Sequence, residues 1–538
     1  MTTNTTAVFG CVMILLAQAS VRAGGDNKQP AGTASSDKTS VPDRRPAANV
    51  SPVANANNKL GWKVADLLTQ QNPGNWIFSP PSVTTGLYAL HSGAGGVTRD
   101  ELGKLLGLPE KATDADTIKA AAAWQARLVT KSSSALGLTV TGEKPKGLRV
   151  TSVEDGSAAQ VAGVKPGNLI LSLNGRPAGE VADTYPSPTP LAAADEVTVI
   201  EVEDQSGAKT RVVIINQAGK GLPTRGYDLQ AAVGFFGGAK YQWKKDFEDG
   251  FRAYFPPGIR PTDFSKPTEA VDRINRFVQS ETNNRVKELV TKAAVNEQTR
   301  LVIVSTTWFR AKWRDPFDVK KTATAKFTVP AASHTVPAGG QEKIHQLVVP
   351  MRELLVPMMS KKGSYPVRQS DASIGVEVPY ESGEAAMWLF LPKEGKAVSD
   401  VLTEVSEKNP ALVAAEFEPT EVELALPRFS FRHKTDLKPT LLKLGISSAF
   451  SAEKADFARM TDSKPGLVVS AINQEAFISV DEEGTEASAA TTIALVPKSK
   501  GLEVSLNRPF VFAIVQKATN TILFVGKVSE PELSVVER

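Results

Sequence analysis

Between about residue 132 and residue 216 the chain changes texture, and this break constrains its architecture more than any other feature. Before it, apolar residues recur at helical spacing. Leu60, Val64, Leu67 and Leu68 share one face, and helical patterns follow over 102–108 and 116–130. After it, helical segments at 241–254 and 266–290 give way to strand-like runs at 301–308, 374–378, 387–391 and 422–426. Within it lie strand candidates at 136–140, 147–153, 168–174, 196–203 and 211–215, one small helix, and a hairpin turn at Gln205-Ser-Gly207. Such a stretch, roughly 85 residues, is long enough to fold alone, so one domain interrupts another. The interrupted part, helices first and strands after, is expected to be α+β with a large mixed sheet. Residues 329–349, with several Pro and Gly and with His334 and His345, read as loop.

Composition removes several classes of function. The 62 basic and 58 acidic residues leave a net charge of +4, which gives no argument for nucleic acid or an acidic membrane surface. The single cysteine, Cys11, lies in an apolar run at 7–17 that has signal-peptide length and is too short to span a bilayer. Val21 and Ala23 fit the small-residue cleavage rule, so 1–23 is expected to be a signal peptide. The mature chain is then secreted, extracellular or periplasmic, with no integral membrane segment and no cysteine for disulfides, nucleophilic catalysis or metal. Residues 24–55 are polar and Pro/Gly-rich and read as a linker. His91, His334, His345 and His433 form no metal-ligand spacing, and no Gly-x-Ser-x-Gly, Walker A or dinucleotide motif occurs. Neither an enzyme nor a cofactor is expected.

The segment 484–496 is too apolar for a comfortable loop and too small-grained for a settled core strand. Read with period 2, one face carries Thr485, Ala487, Ala489, Thr491, Ile493 and Leu495, uncharged and small or β-branched in its first half. The other carries Glu486, Ser488, Ala490, Thr492, Ala494 and Val496. Such a segment serves as a loop in one state and a central strand in another. On the order of 10 kcal/mol is available on insertion, from roughly 1 kcal/mol per ladder bond plus apolar burial.

Eight segments in order resemble the serpins. They are NWIFSPPS at 75–82, TTWFRAKW at 306–313, VPMM at 356–359, LPRF at 426–429, LGI with ADF at 444–446 and 455–457, EEGTEA at 482–487, NRPFVF at 507–512 and FVGK at 524–527. The resemblance implies a serpin fold over 56–131 and 218–534, with an exposed reactive loop at 482–506. It also implies a suicide mechanism, in which a serine protease begins to cut the loop, forms an acyl-enzyme, and is carried off as the loop inserts into the main sheet. In the family the bond commonly follows the seventeenth residue from the first hinge Glu; from Glu482 this gives Lys498–Ser499, with Lys500 as fallback. A lysine there implies a trypsin-like partner. The hinge residues Glu482, Gly484, Thr485, Glu486, Ala487, Ser488, Ala489 and Ala490 include no proline or aromatic, which favours insertion. The resemblance implies two departures, Gln474 where many members have a His and Ser305 where an Asn is usual.

Residues 132–217 resemble a PDZ domain through ALGL at 135–138, GLRVTSV at 147–153, DGSAAQVAG at 155–163 and VKPGNLILSLNG at 164–175. The resemblance implies that Ala135, Leu136, Gly137 and Leu138 receive the terminal carboxylate of a peptide, which pairs with the following strand. Ser157 is positioned to cap the small helix that Gly163 ends. The helix that should wall the groove falls at 183–194, where Pro186, Pro188 and Pro190 break it. The expectation is a monomeric protease inhibitor carrying a peptide-binding or targeting module. The alternative is a non-inhibitory scaffold whose PDZ-like unit does the binding.

Overall fold

The computed structural model describes residues 51–109, 114–128, 138–153, 158–173, 176–179, 189–190, 197–215, 227–255, 258–282, 286–337, 344–408, 410–485 and 501–532. The leader, nearly all of the linker, the loop residues 135–137, Ser157, the hinge from Glu486 onward and the Lys498–Ser499 bond lie outside the described residues.

The first part is helical. Ser51 caps α1 (Pro52–Gln71) through its hydroxyl and the Ala54 amide. Next come β1 (Trp76–Phe78) and α2 (Pro80–Gly93), whose first turn accepts two prolines and whose every residue is buried. Then α3 (Gly96–Leu106) ends on left-handed Gly107, followed by α4 (Asp114–Leu128).

The middle part folds on itself. Its strands are β2 (Leu138–Glu143), β3 (Gly147–Val153), β4 (Leu169–Leu173), β5 (Arg176–Pro177), β6 (Thr189–Pro190), β7 (Val197–Glu203) and β8 (Lys209–Ile215). The short helix α5 (Ala158–Val161) follows β3. The sheet order is β6-β2-β3-β4-β7-β8, with β5 on β4, and alternate apolar residues such as Leu138, Val140, Val150, Ile170 and Ile200 close a separate core. Of the broken wall helix expected over 183–194, all but Thr189 and Pro190 lies outside the described residues. Thr189 and Pro190 pair as a strand with β2, because proline removes helix bonds yet is tolerated on a sheet edge.

The third part completes the large domain. It comprises β9 (Tyr227–Gly238), α6 (Lys245–Tyr254), β10 (Ile259–Thr262), α7 (Pro267–Glu281), β11 (Leu301–Lys312), β12 (Ala323–Val329), β13 (Ala332–Pro337), β14 (Ile344–Val349), β15 (Arg352–Gln369), β16 (Ser373–Pro379) and β17 (Ala385–Pro392). These lead to α8 (Val398–Glu407), α9 (Pro410–Ala415), β18 (Glu418–Pro427), β19 (Phe429–Asp436), α10 (Lys438–Lys443), β20 (Val469–Val480), β21 (Gly484–Thr485), β22 (Leu502–Ser505), β23 (Phe510–Gln516) and β24 (Thr521–Val528).

Two sequence expectations are corrected here. The helix expected to reach residue 290 stops at Glu281, because Asn275 takes the Leu289 and Val290 amides on its side-chain oxygen at 2.9 and 3.0 Å, which holds that backbone in a return turn. The loop expected at 329–349 contains the β13–β14 hairpin, since the β12–β15 ladder, which reaches Val329↔Arg352, resumes at Ala332↔Val349.

One sheet runs β1-β24-β23-β17-β16-β15-β18-β22, with β12 on β15; a second runs β10-β9-β11-β21-β20-β19. The buried face of α2 packs between them, and α7 covers Val302 and Val304 of β11 from the other side of the second sheet.

Candidate functional site

The second sheet has a seam at its centre. Strands β11 and β20 lie parallel, paired from Leu301↔Val469 to Thr307↔Ala476 with a register shift between Leu301 and Val302. Beyond that point they part, and β21 occupies the cleft: Thr485 faces Ala311 on one side and Val480 on the other, while Gly484 faces Lys312. The chain has therefore begun a new antiparallel strand between two strands that are direct neighbours lower down.

The turn that feeds β21 is tight. The Asp481 amide donates to the Gly484 carbonyl at 3.0 Å, and the Asp481 carboxylate accepts the Glu483 and Gly484 amides at 2.9 and 3.2 Å. Burial raises the pKa of that carboxyl, opposed by these two amide bonds. Only glycine fits position 484, since a Cβ there would stand 2.1 Å from the Ala311 carbonyl oxygen.

Aromatic residues just past the ends of β11 and β16 hold the turn. The Trp313 indole N–H donates to the Asp481 carbonyl at 2.9 Å, and the Trp313 amide to Glu483 at 2.8 Å. Trp313 stacks on Tyr380 with centroids 4.8 Å apart. The Tyr380 hydroxyl meets Thr485 Oγ1 at 2.8 Å in a fully buried place, and burial drives its pKa well above the ordinary phenol value. Glu482 is buried and receives the Arg428 guanidinium, from Nε at 2.7 Å, and the Thr322 hydroxyl at 2.5 Å. Thus the first hinge residues are already enclosed by side chains.

Lower down, a polar cluster bolts the seam. Gln474 of β20 is fully buried; its side-chain oxygen accepts the Ser79 amide at 2.9 Å, and its Nε2 donates to the Ser79 carbonyl at 2.7 Å and to Ser305 Oγ of β11 at 3.1 Å. Ser82 of α2 reaches Ser305 at 2.5 Å and Thr307 at 3.0 Å. Gln474 and Ser305 therefore bond each other across the seam. On β20 next to Gln474, buried Glu475 is approached by Arg432 at 3.6 Å and Lys434 at 3.9 Å, and burial raises its pKa.

After residues 486–500 the chain re-enters described structure at Gly501, and β22 pairs in parallel with β18 from Val422↔Leu502 to Ala425↔Ser505. The two ends of the loop thus belong to different sheets. Of the expected hinge, Glu482, Gly484 and Thr485 are brought together here, while residues 486–490, Lys498 and Ser499 lie outside the described residues. Leu138, the last residue of the 135–138 loop, opens β2 and is buried. Sequence reasoning missed Tyr380, Thr322 and the pairing of Arg428 with Glu482, because no local pattern links strands so far apart in the chain. Among the described residues no His, Cys, Asp and Glu cluster could hold a metal ion, and no helix is long and apolar enough to cross a membrane.

This architecture matches known proteins. A family model for Serpin (serine protease inhibitor) covers residues 55–143 and 197–531, and one for the PDZ domain covers 125–185. Serpin B4 of Homo sapiens is 31% identical over 318 residues, spanning 57% of this chain and 76% of its own. Alaserpin of Manduca sexta is 34% identical over 313 residues, spanning 57% and 74%. Native protease nexin-1 with heparin superposes with a TM-score of 0.60 at 20% identity, covering 89% of this chain and 100% of its own. Human thyroxine-binding globulin complexed with its hormone gives 0.59 at 21%, covering 89% and 98%. The chain belongs to the serpin family, whose members are generally protease inhibitors rather than catalysts, and it carries a PDZ domain. The Serpin match resumes at residue 197, yet β7 and β8 pair with β4 and with each other, in the sheet of the middle part.

Proposed function

We propose that this chain is a secreted, single-use inhibitor of trypsin-like serine proteases that offers Lys498–Ser499 as its bait bond. The observation that carries this reading is β21, a strand already started between β11 and β20. A segment begun there has only to lengthen. Residues 487–494 carry small and β-branched side chains with which to do so.

The chemistry belongs to the protease. Its serine Oγ adds to the Lys498 carbonyl, the bond to the Ser499 nitrogen breaks, and the amine leaves with a proton, so that Lys498 is held as an ester. Insertion of 486–498 exchanges the single β11–β20 ladder for two, which at roughly 1 kcal/mol per added bond drives the ester and its enzyme away before water completes the reaction. Within this reading 1–23 is a signal peptide, 24–55 a linker, 56–131 and 218–534 the inhibitor domain, and 132–217 an insertion whose loop 135–138 receives a peptide carboxylate. The inhibitor acts as a monomer.

Mixing the mature protein with trypsin and running a denaturing gel tests this directly. The expected result is a detergent-stable complex and a released peptide whose mass begins at Ser499. Complete cleavage without a complex would overturn the inhibitor reading in favour of a scaffold.

A further inference from the structure

Alternation along β20 turns Gln474 towards α2 and Glu475 to the opposite face of the sheet. Glu475 stands at the seam itself, paired with Thr306 of β11 on one side and Lys434 of β19 on the other. It is 3% exposed, yet its carboxylate is poorly compensated. Arg432 Nη1 stands 3.6 Å from Oε1 and Lys434 Nζ 3.9 Å from Oε2, and Oε2 has no hydrogen-bond partner among the described residues. Two residues earlier on the same face, the buried Nδ2 of Asn473 has none either. We propose that Glu475 sets how readily β11 and β20 part, so that the seam opens more easily at neutral pH than in acid. The consequence for inhibition rests on the reading that the loop enters between these two strands.

The placement of the charges carries the argument. Arg432 and Lys434 are 40% and 52% exposed, so water screens much of their attraction. Arg432 also lies over the Phe477 ring, 4.7 Å from its centroid, and so divides its contacts between ring and carboxylate. Both cations come from β19, on the side of Glu475 away from the seam. Across the seam β11 offers uncharged Thr306, and α7 meets Val302 and Val304 further down the same face. Parting β11 from β20 therefore leaves both ion pairs in place while it admits water to the carboxylate. A buried carboxylate with incomplete pairing costs free energy in the closed sheet, and hydration on opening returns part of that cost.

The sign of the pH effect follows. Burial raises the Glu475 pKa in the closed sheet, opposed by Lys434 and Arg432. In the open seam the carboxyl lies closer to its ordinary value. Between the two values the closed form binds more protons, so rising pH weakens the closed seam and falling pH restores it. Below both, the group is neutral in either state and contributes nothing.

Amide hydrogen exchange of the full chain, expressed as protection factors, tests the proposal on three forms: native, Glu475→Gln and Lys434→Met. The seam amides are those of 302–307 and 471–476, and those of β23 and β24 report global unfolding. At about pH 7.5 the native seam is expected to be about three- to tenfold less protected than in Glu475→Gln, and equally protected at about pH 4. Lys434→Met should move the native transition to higher pH, which a merely structural role would not do. Equal seam protection in native and Glu475→Gln at both pH values, an unmoved transition in Lys434→Met, or an equal change in β23 and β24 would overturn the proposal. Trypsin supplies the second arm, run on native and Glu475→Gln side by side so that the enzyme's own pH dependence cancels. The native chain should trap more trypsin per loop cut at neutral pH, and equal trapping would overturn the consequence for inhibition. The expected exchange with cleavage but no complex from either form would uphold Glu475 at the seam and overturn the inhibitor reading instead.

Discussion

Glu482 is the first hinge residue, and its carboxylate is held out of water by Arg428 and Thr322. Removing one partner of such a pair leaves the other buried and uncompensated. Arg428 is about a third exposed, which screens part of its attraction. Arg428→Met is therefore expected to cost about 1–3 kcal/mol, below the full cost of a buried charge, and urea unfolding at neutral pH measures it. Thr485 is more demanding, because it is 1% exposed and bonded to Tyr380. Thr485→Arg would force a cation between β11 and β20, so the variant should be cut by trypsin without a stable complex, as a gel reads at once. Lys527 gives a pH signature. Its ammonium donates to the Asn72 and Pro73 carbonyls at 2.8 and 3.2 Å, and burial pulls its pKa from 10.5 to about 8. Between those values the unfolded chain binds more protons than the folded one, so stability rises from about pH 8 to about 10.5 and is lost as pH falls back through 8. Thermal melts across that range should show the rise, and Lys527→Met should flatten it.

At the scale of elements, the seam depends on how firmly α2 ties β11 to β20. Gln474 alone holds Ser79 at two atoms and reaches Ser305. Gln474→Ala would leave the Ser79 amide and carbonyl buried without that partner. It should destabilise the protein by about 2–4 kcal/mol and speed exchange of the β20 amides, while β23 and β24 stay protected. The elements differ in how far local sequence announces them. Strand β3 was legible to the residue, because Gly147 and the alternation through Val153 bound it on local grounds. The hinge was legible as a composition that fits neither loop nor core. The end of α7 at Glu281 was not, since it depends on Asn275 gripping backbone fourteen and fifteen residues later. Nor was β6 legible: three prolines signalled the loss of a helix, but only the neighbouring edge of β2 determined what the chain formed instead.

For the whole molecule, cleavage is expected to raise stability rather than lower it. The described structure is a state with room for one more strand, begun by β21 and continued nowhere among the described residues. Cutting within 498–500 with a protease that escapes trapping, then melting, should raise the midpoint markedly; an unchanged midpoint would mean that the loop cannot enter. The seam also has a history in time. The groups that lock it come from residues 79 and 82, from 305 and 307, and from 474. A ribosome delivers these early, midway and late, so a growing chain cannot close the lock until nearly nine-tenths of it has been made. The middle part, whose strands pair over 138–215, can finish folding long before. Translation that stalls before residue 474 would therefore release a finished small domain attached to an unarmed trap.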